Sequence, residues 1–319
     1  MKYRVLGRTG LRVSEVGLGT WPISGAGYGR TDDAESLRVI ETALDRGVNF
    51  FDTADIYGNG HSEELLGKVL LGRRESAVLA GKAGWDFYHG GVRRNFQPEY
   101  LEFACEQSLK RLGTDVIDVY QLHNPRPEDL SSGEVFDALE KLKRKGKIRF
   151  AGISVHTAEE GIQAIASGKM DVLQVVYNAI DQRAAFELFP FARQNHIGVI
   201  AREPFACGLL TGKYTREVRF EGPDHRRRWR REKIIRDLEN LEKILSALPA
   251  RPPSLPLFSL QFVLGNPAVS TVIPGAKNVS QVLENTKVTE TDDFSEKDLE
   301  TLRAVYENNP SFREDLFRN

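Results

Sequence analysis

The chain has 319 residues, with 44 lysines and arginines against 45 aspartates and glutamates, for a formal net charge of −1. A balance this close to neutral gives no global attraction to nucleic acid or to an anionic membrane surface. The two cysteines, Cys105 and Cys207, are too few and too far apart for a disulfide framework, and no apolar run approaches the roughly 18–20 residues a spanning helix requires. The first ten residues, MKYRVLGRTG, contain no apolar signal region, so a cytoplasmic protein with a small-molecule partner is expected, without nucleic-acid or membrane partners.

A short hairpin opens the chain, YRVL (3–6) and LRVS (11–14), joined through a glycine-bearing turn. Eight strand-like runs follow: 16–20, 49–53, 77–82, 116–122, 150–155, 172–177, 198–202 and 270–275. Helix-like stretches lie between them. Residues 32–47 place Leu37, Ile40, Ala43 and Leu44 on one face and stop at Gly47. The stretch 62–72 is expected to open with Ser62 as its N-cap, followed by Glu63 and Glu64 where negative charge suits the helix dipole. Residues 98–113 start at Pro98 and stop at Gly113. Further helices are expected at 134–146, 158–168, 188–196 and 254–266, the last inside a long crossover spanning 203–269, and then at 279–288 and 295–309.

Eight strands alternating with helices predict a (β/α)8 TIM barrel, with the N-terminal hairpin as a plug, an extra C-terminal helix, and residues 1–319 as a single domain. The alternative, a doubly wound sheet, places a glycine-rich phosphate loop at the start of a helix after its first strand. Here Gly25, Gly27 and Gly29 in the corresponding segment open no helix, and they read as a loop at the barrel mouth.

Four residues stand at three consecutive strand ends: Asp52 and Tyr57 in FFDTADIYG, Lys82 in VLAGKAG, and His123 in VIDVYQLHNP. Each alone has a plain structural explanation, as a turn, a cap or a partnered core group. Together they meet only if the strands are parallel neighbours about 4.8 Å apart. Such a set suits proton transfer at a carbonyl or alcohol oxygen. A lysine within about 4–6 Å is expected to lower the tyrosine pKa by about 1–3 units. Asp52 would orient the lysine, and His123 would donate a hydrogen bond to the substrate oxygen. No side chain here carries a hydride, so the set requires a bound carrier.

These motifs resemble those of the aldo-keto reductase superfamily, and the resemblance runs from LGRTGLRVSEVGLGTW (6–21) to VIPGAKNVSQVLEN (272–285). The chain looks most like the branch containing bacterial general-stress reductases and potassium-channel β-subunits. The resemblance implies NADP(H) and a catalytic tetrad of Asp52, Tyr57, Lys82 and His123, with Tyr57 as general acid in reduction and base in oxidation. It implies nicotinamide near Thr20, Trp21, Asp52 and Ser154, with Gln174 on the carboxamide. The segment REPFACGLLTGK (202–213) matches the loop that straps the pyrophosphate, giving Arg202, Pro204, Phe205, Ala206, Gly208, Leu209 and Lys213. The last motif implies an adenosine-phosphate site at Gly275, Lys277, Gln281, Glu284 and Asn285. A helix N-terminus at Asn278 beside Lys277 suits a 2′-phosphate and favours NADP over NAD. Two positions depart from the common pattern. Val155 stands where many relatives carry Asn or Arg, and Glu203 where many carry Ser, with Arg202 placed to offset its charge.

Substrate choice is expected in loops 21–30, 84–97 and 214–232 and in the segment 305–319. Trp21, Tyr57, Trp85 and His123 are the substrate-lining candidates; Phe87, Tyr88 and Trp229 read either as parts of an aromatic mouth or as packing. The run HRRRWRREK (225–233) reads as a solvated loop or helix start, with a clamp on cofactor phosphates or a gate over the substrate as alternatives. The six histidines have no H-E-x-x-H or C-x-x-C companions, so no metal site is expected. No tyrosine is followed four residues later by lysine, which disfavours short-chain dehydrogenase chemistry. Two other functions stay open on sequence grounds: a cofactor-binding redox-sensing regulatory module with slow turnover, and a sugar or polyol dehydrogenase.

Overall fold

A computed structural model describes residues 1–25 and 27–313. The chain opens with the antiparallel pair β1 (Tyr3–Val5) and β2 (Arg12–Ser14), followed by β3 (Leu18–Gly19), β4 (Phe50–Asp52) and β5 (Val78–Ala83). A small antiparallel pair that the sequence pattern did not signal, β6 (Trp85–Asp86) and β7 (Arg93–Arg94), stands on the next loop. Then come β8 (Ile117–His123), β9 (Ile148–Val155), β10 (Val172–Val176), β11 (Gly198–Arg202) and β12 (Val269–Val272). The eight strands β3, β4, β5 and β8 to β12 pair in parallel in chain order. Parallel bridges Val16–Val272 and Gly19–Gly275 join the two ends, closing the (β/α)8 barrel.

The hairpin forms the floor of the barrel. Leu6, Leu11 and Val13 pack with Phe50, Ala80, Val119, Val172 and Ile200 in one buried cluster. A Cβ on Gly198 would lie 2.7 Å from Leu6 Cγ, so glycine there admits the plug.

Helices α1 (Asp33–Asp45), α2 (His61–Leu70), α3 (Pro98–Leu112), α4 (Pro127–Leu130), α5 (Glu134–Arg144), α6 (Ala158–Ala166), α7 (Leu188–Gln194), α8 (Arg231–Ser246), α9 (Leu255–Leu264), α10 (Val279–Thr286) and α11 (Glu296–Asn308) surround the ring. The capping chemistry explains several boundaries. Asp32 accepts from Glu35 N–H, Pro98 is the first residue of α3, and Gly113 ends α3 in the left-handed conformation. Thr157 and Glu160 form a reciprocal capping box on α6. One expectation fails: Ser62 is not the N-cap of α2, a position held by Gly60. The Ser62 hydroxyl is buried instead, 2.6 Å from Thr20 Oγ1 and 3.0 Å from Thr53 Oγ1, and so ties α2 to the first two barrel strands. The long crossover contains α9 at the expected position and α8, which begins at Arg231 within the basic run. Helix α11 packs on α8 and buries Leu302 and Tyr306, the latter against Phe186 and Phe312. No helix among the described residues is long and apolar enough to cross a membrane.

Candidate active site

The parallel register brings the four strand-end residues together. Asp52 pairs with Gly19 and Ala80, Lys82 with Gln121, and His123 with Ser154. The period of two along a strand turns Gln121 and His123 to the same side. Lys82 Nζ donates to Asp52 Oδ1 at 2.5 Å and to the Thr53 carbonyl at 2.7 Å. Asp52 Oδ2 accepts from Gln174 Nε2 at 2.7 Å and from Gln121 Nε2 at 3.2 Å. Each carboxylate oxygen therefore has donors, as a charge removed from water requires. The Lys82 ammonium lies 4.9 Å from the centre of the Tyr57 ring. Tyr57 meets the His123 ring edge to face at 5.8 Å and stacks on Trp21 at 6.0 Å. The Tyr57 hydroxyl has no hydrogen-bond partner among the described residues and opens on the cavity.

The electrostatics differ from the sequence expectation. Burial, reinforced by the Asp52 carboxylate, pushes the Tyr57 phenol well above its usual value, against the opposing charge of Arg202. The net direction is thus opposite to the one expected from Lys82. Its ammonium is engaged by Asp52 and Thr53 and sits under the ring face, and loss of water around the phenol outweighs its charge. Burial also lowers Lys82, with Asp52 opposing. The imidazole of His123 is held far below its usual value by burial and then by Lys82, so the ring is neutral at pH 7. A neutral phenol that keeps its proton and a neutral imidazole with one N–H form a proton donor beside a hydrogen-bond donor.

Asp52, Tyr57 and His123 line an open cavity of about 1440 Å³. Of the residues expected to hold cofactor, Trp21, Asp52, Ser154, Gln174, Arg202, Pro204, Phe205, Gly208, Lys213, Gly275, Lys277, Gln281, Glu284 and Asn285 line it. Thr20, Ala206 and Leu209 do not. Thr20 Oγ1 donates to the Asp52 carbonyl at 2.9 Å, and Leu209 packs against Ile234 and Leu238. Lys277 and Lys213 bring positive charge to the cavity wall, with Lys277 Nζ donating to the Tyr28 carbonyl at 2.9 Å. Burial and then the neighbouring Lys213 charge lower the Lys277 pKa, a strain that a bound anion would relieve. Glycine at 275 admits the close approach of Pro22, since a Cβ there would stand 2.4 Å from Pro22 Cγ. A cavity of this volume, lined by the proton-transfer set and by Lys213 and Lys277, fits a nicotinamide dinucleotide.

Two local features modify what the sequence implied. Glu203, Ala206 and Cys207 all have positive φ, a strained conformation for residues with side chains. The Glu203 carboxylate pairs with Arg202 and accepts from Cys207 Sγ at 3.3 Å, so its charge is offset within the loop. At the start of α10, Asn278 caps Gln281 N–H at 3.0 Å, but Glu35 Oε1 already accepts from Val279 N–H at 2.9 Å. That carboxylate occupies part of the helix N-terminus.

The basic run is not a solvated loop throughout. Arg226 is buried, bonded to Asp224 and to the Cys207 carbonyl, with its guanidinium 4.0 Å from the centre of the Phe220 ring. His225 Nδ1 lies 2.7 Å from the Gly27 carbonyl, and its ring packs on Trp21 at 4.6 Å. The segment thus joins the loop after β3 to the loop after β11. Trp229 packs with Leu209, Ile234 and Leu238, away from the cavity, while Phe87 and Tyr88 stack on each other at 4.0 Å. Trp85 and Val92 represent the 84–97 loop in the cavity wall. Residues 305–313 contribute nothing to that wall, and 314–319 lie outside the described residues. Sequence reasoning passed over Gln121, Asn124 and His156. The signals were present: Gln121 is two residues before His123, Asn124 follows it, and His156 is two residues past Ser154.

The family model for the aldo/keto reductase family matches residues 15–307. The aldo-keto reductase YhdN of Bacillus subtilis is 32% identical over 91% of this chain and 89% of its own. The NADH-specific methylglyoxal reductase of Escherichia coli is 32% identical over 89% of this chain and 92% of its own. Among solved structures, the holo form of a Bacillus halodurans aldo-keto reductase superposes with a TM-score of 0.81 at 31% identity, covering 96% of each chain.

Proposed function

The chain belongs to the aldo/keto reductase family, and on that premise we propose that it is an NADP(H)-dependent oxidoreductase acting between a carbonyl and the corresponding alcohol. The observation that carries this reading is the buried Lys82–Asp52 pair beneath a Tyr57 ring whose hydroxyl, like the neutral His123, is left free toward the cavity. A nicotinamide held by these residues would supply the hydride to the carbonyl carbon in reduction and accept it from the carbinol carbon in oxidation. In reduction the Tyr57 hydroxyl gives its proton to the carbonyl oxygen as negative charge develops there. His123 orients that oxygen with its N–H and stabilises the same charge. In oxidation the Tyr57 phenolate takes the alcohol proton back, with the Lys82 cation stabilising the phenolate. Asp52, supported by Gln121 and Gln174, keeps Lys82 in place.

For the choice of dinucleotide, Lys277 and Lys213 support a 2′-phosphate, while Glu35 on the α10 N-terminus opposes it. With Arg226 neutralised by Asp224, Lys277 and Lys213 against the single Glu35 carboxylate favour NADP(H), even though the Escherichia coli relative is described as NADH-specific. A cytoplasmic setting belongs to the same proposal, in keeping with the free thiols of Cys105 and Cys207. The test is Tyr57→Phe. With NADPH and a panel of aldehydes, kcat is expected to fall by about 10²–10⁴-fold, the usual contribution of a general acid, while NADPH binding persists. Retained turnover in Tyr57→Phe refutes the assignment.

A further inference from the structure

The imidazole of His123 is not tethered through its buried nitrogen. Nδ1 has no hydrogen-bond partner among the described residues. A working histidine usually takes its ring orientation from a bond at the nitrogen turned away from the substrate, and here that bond is missing. The placement of the ring therefore falls to its backbone and to its edge-to-face contact with Tyr57 at 5.8 Å. The sheet gives that backbone limited support, because β8 ends at His123 and Asn124 turns into the left-handed region with a φ of 55°. Two side chains of the hairpin formed by β6 and β7 take over. Trp85 Nε1 donates to the His123 carbonyl at 3.0 Å, and Arg94 Nη1 donates to the Asn124 carbonyl at 2.6 Å. Trp85 and Arg94 are register partners, and the guanidinium lies 4.6 Å from the centre of the Trp85 ring. From the other side, Asn124 N–H donates to the Ser154 carbonyl at 3.0 Å, and Asn124 Oδ1 accepts from Ser154 Oγ at 2.9 Å.

A clamp fixes a position only if it is itself stiff. The Asp86 carboxylate, with its side chain fully buried, gathers the hairpin around it. It accepts from Tyr88 N–H at 3.1 Å, from His89 Nδ1 at 3.0 Å, and from Arg93 Nη2 and Asn95 Nδ2 at 3.3 Å each. Asn95 N–H closes the base of the hairpin on the Gly84 carbonyl at 3.0 Å. Gly84 directly follows β5, so the hairpin links the strand that carries Lys82 to the end of the strand that carries His123. Arg94 and Asp86 are not part of the cavity wall, so an effect of either on turnover has to pass through what the hairpin holds.

We propose that the β6–β7 hairpin positions His123 for catalysis, with Arg94 as a positioning residue that acts through the Asn124 carbonyl. This rests on the reductase reading above. The test is a double-mutant cycle of Arg94→Met with His123→Ala, read as kcat/KM for the aldehyde of the panel that wild type reduces fastest, with NADPH affinity followed by fluorescence quenching. A misplacement of about 1 Å can cost about 10²-fold, and releasing one bond of the clamp is expected to lower kcat/KM by about 5- to 20-fold in Arg94→Met. In the His123→Ala background the same change is expected to cost less than about 2-fold, because the group it positions is gone. NADPH affinity is expected to stay unchanged. Asp86→Asn, which loosens the hairpin from its far side, is expected to show the same non-additive pattern. A second readout needs no turnover: hydrogen exchange at the Asn124 amide is expected to quicken by roughly 10-fold in Arg94→Met as the end of β8 opens more often. An equal loss with and without His123 overturns the proposal, as does an unchanged kcat/KM or an unchanged Asn124 exchange rate in Arg94→Met. If wild type binds NADPH and reduces no aldehyde, the reductase reading fails and takes the positioning role with it; additive losses in a working reductase sink this proposal alone.

Discussion

Removing Lys82 isolates what the buried ion pair contributes to the fold. The Lys82 and Asp52 side chains are 1% and 3% exposed. In Lys82→Met the Asp52 carboxylate stays buried without a cation, a situation that typically costs about 3–5 kcal/mol. Gln121 and Gln174 still donate to Oδ2, which argues for the lower part of that range. With an unfolding entropy near 2.1 cal/mol/K per residue, 319 residues give about 0.7 kcal/mol/K, so the midpoint should fall by about 4–7 °C. The assay is thermal unfolding of the unliganded protein followed by circular dichroism. The informative partner is the double variant Asp52→Asn/Lys82→Met, which removes both charges at similar volume. It should recover more than half of the lost stability, because the orphaned charge rather than the missing pair causes the loss. A single variant that melts with the wild type, or a double variant no better than the single, would refute the reasoning.

Other outcomes follow from the same geometry. Glu35→Gln frees the Val279 N–H from a carboxylate and should strengthen NADPH binding relative to NADH by about 2- to 5-fold, read by fluorescence titration of both. Asp55 is fully buried and lifted well above the usual carboxylate range, by burial and then by Glu63. A carboxyl raised in the folded state adds stability that is complete below the unfolded pKa of about 3.9 and is lost as pH rises through the folded value. Asp55→Asn should therefore match wild type near pH 4 and melt higher than wild type above neutrality; parallel melts across pH would expose the opposite trend. Gly275→Ala places a methyl 2.4 Å from Pro22 Cγ and should cost about 1–3 kcal/mol of stability and weaken NADPH binding, because Pro22 adjoins Trp21; unaltered melting and affinity would contradict it.

Much of the site was legible because the chemistry-bearing residues sit at strand ends, where apolar runs break into polar residues. The barrel followed from the count and alternation of those runs. The position of Ser62 was misread for a physical reason: a serine before a helix caps it only if its hydroxyl faces the helix amides, and here it faces Thr20 and Thr53. The state of Tyr57 was misread because the sequence shows a lysine nearby and cannot show how much water the phenol has lost. The run 225–233 was ambiguous because charge density does not reveal that Arg226 is enclosed by Asp224, Cys207 and Phe220 while its neighbours Arg227 and Arg228 are exposed.

By itself, then, the sequence determined the alternation of strands and helices, the plug, and which side chains stand at the strand ends, since these depend on local periodicity and on residue type. Only the tertiary structure decided which hydrogen bonds those side chains make. Lys82 bonds Asp52 and the Thr53 carbonyl beneath the Tyr57 ring, Glu35 takes an amide of α10 from 244 residues away, and Arg202 reaches His156 Nδ1 from two strands away. Such pairings depend on distances between segments remote in the chain and on how much water is left between them, and neither is encoded in any local stretch of residues.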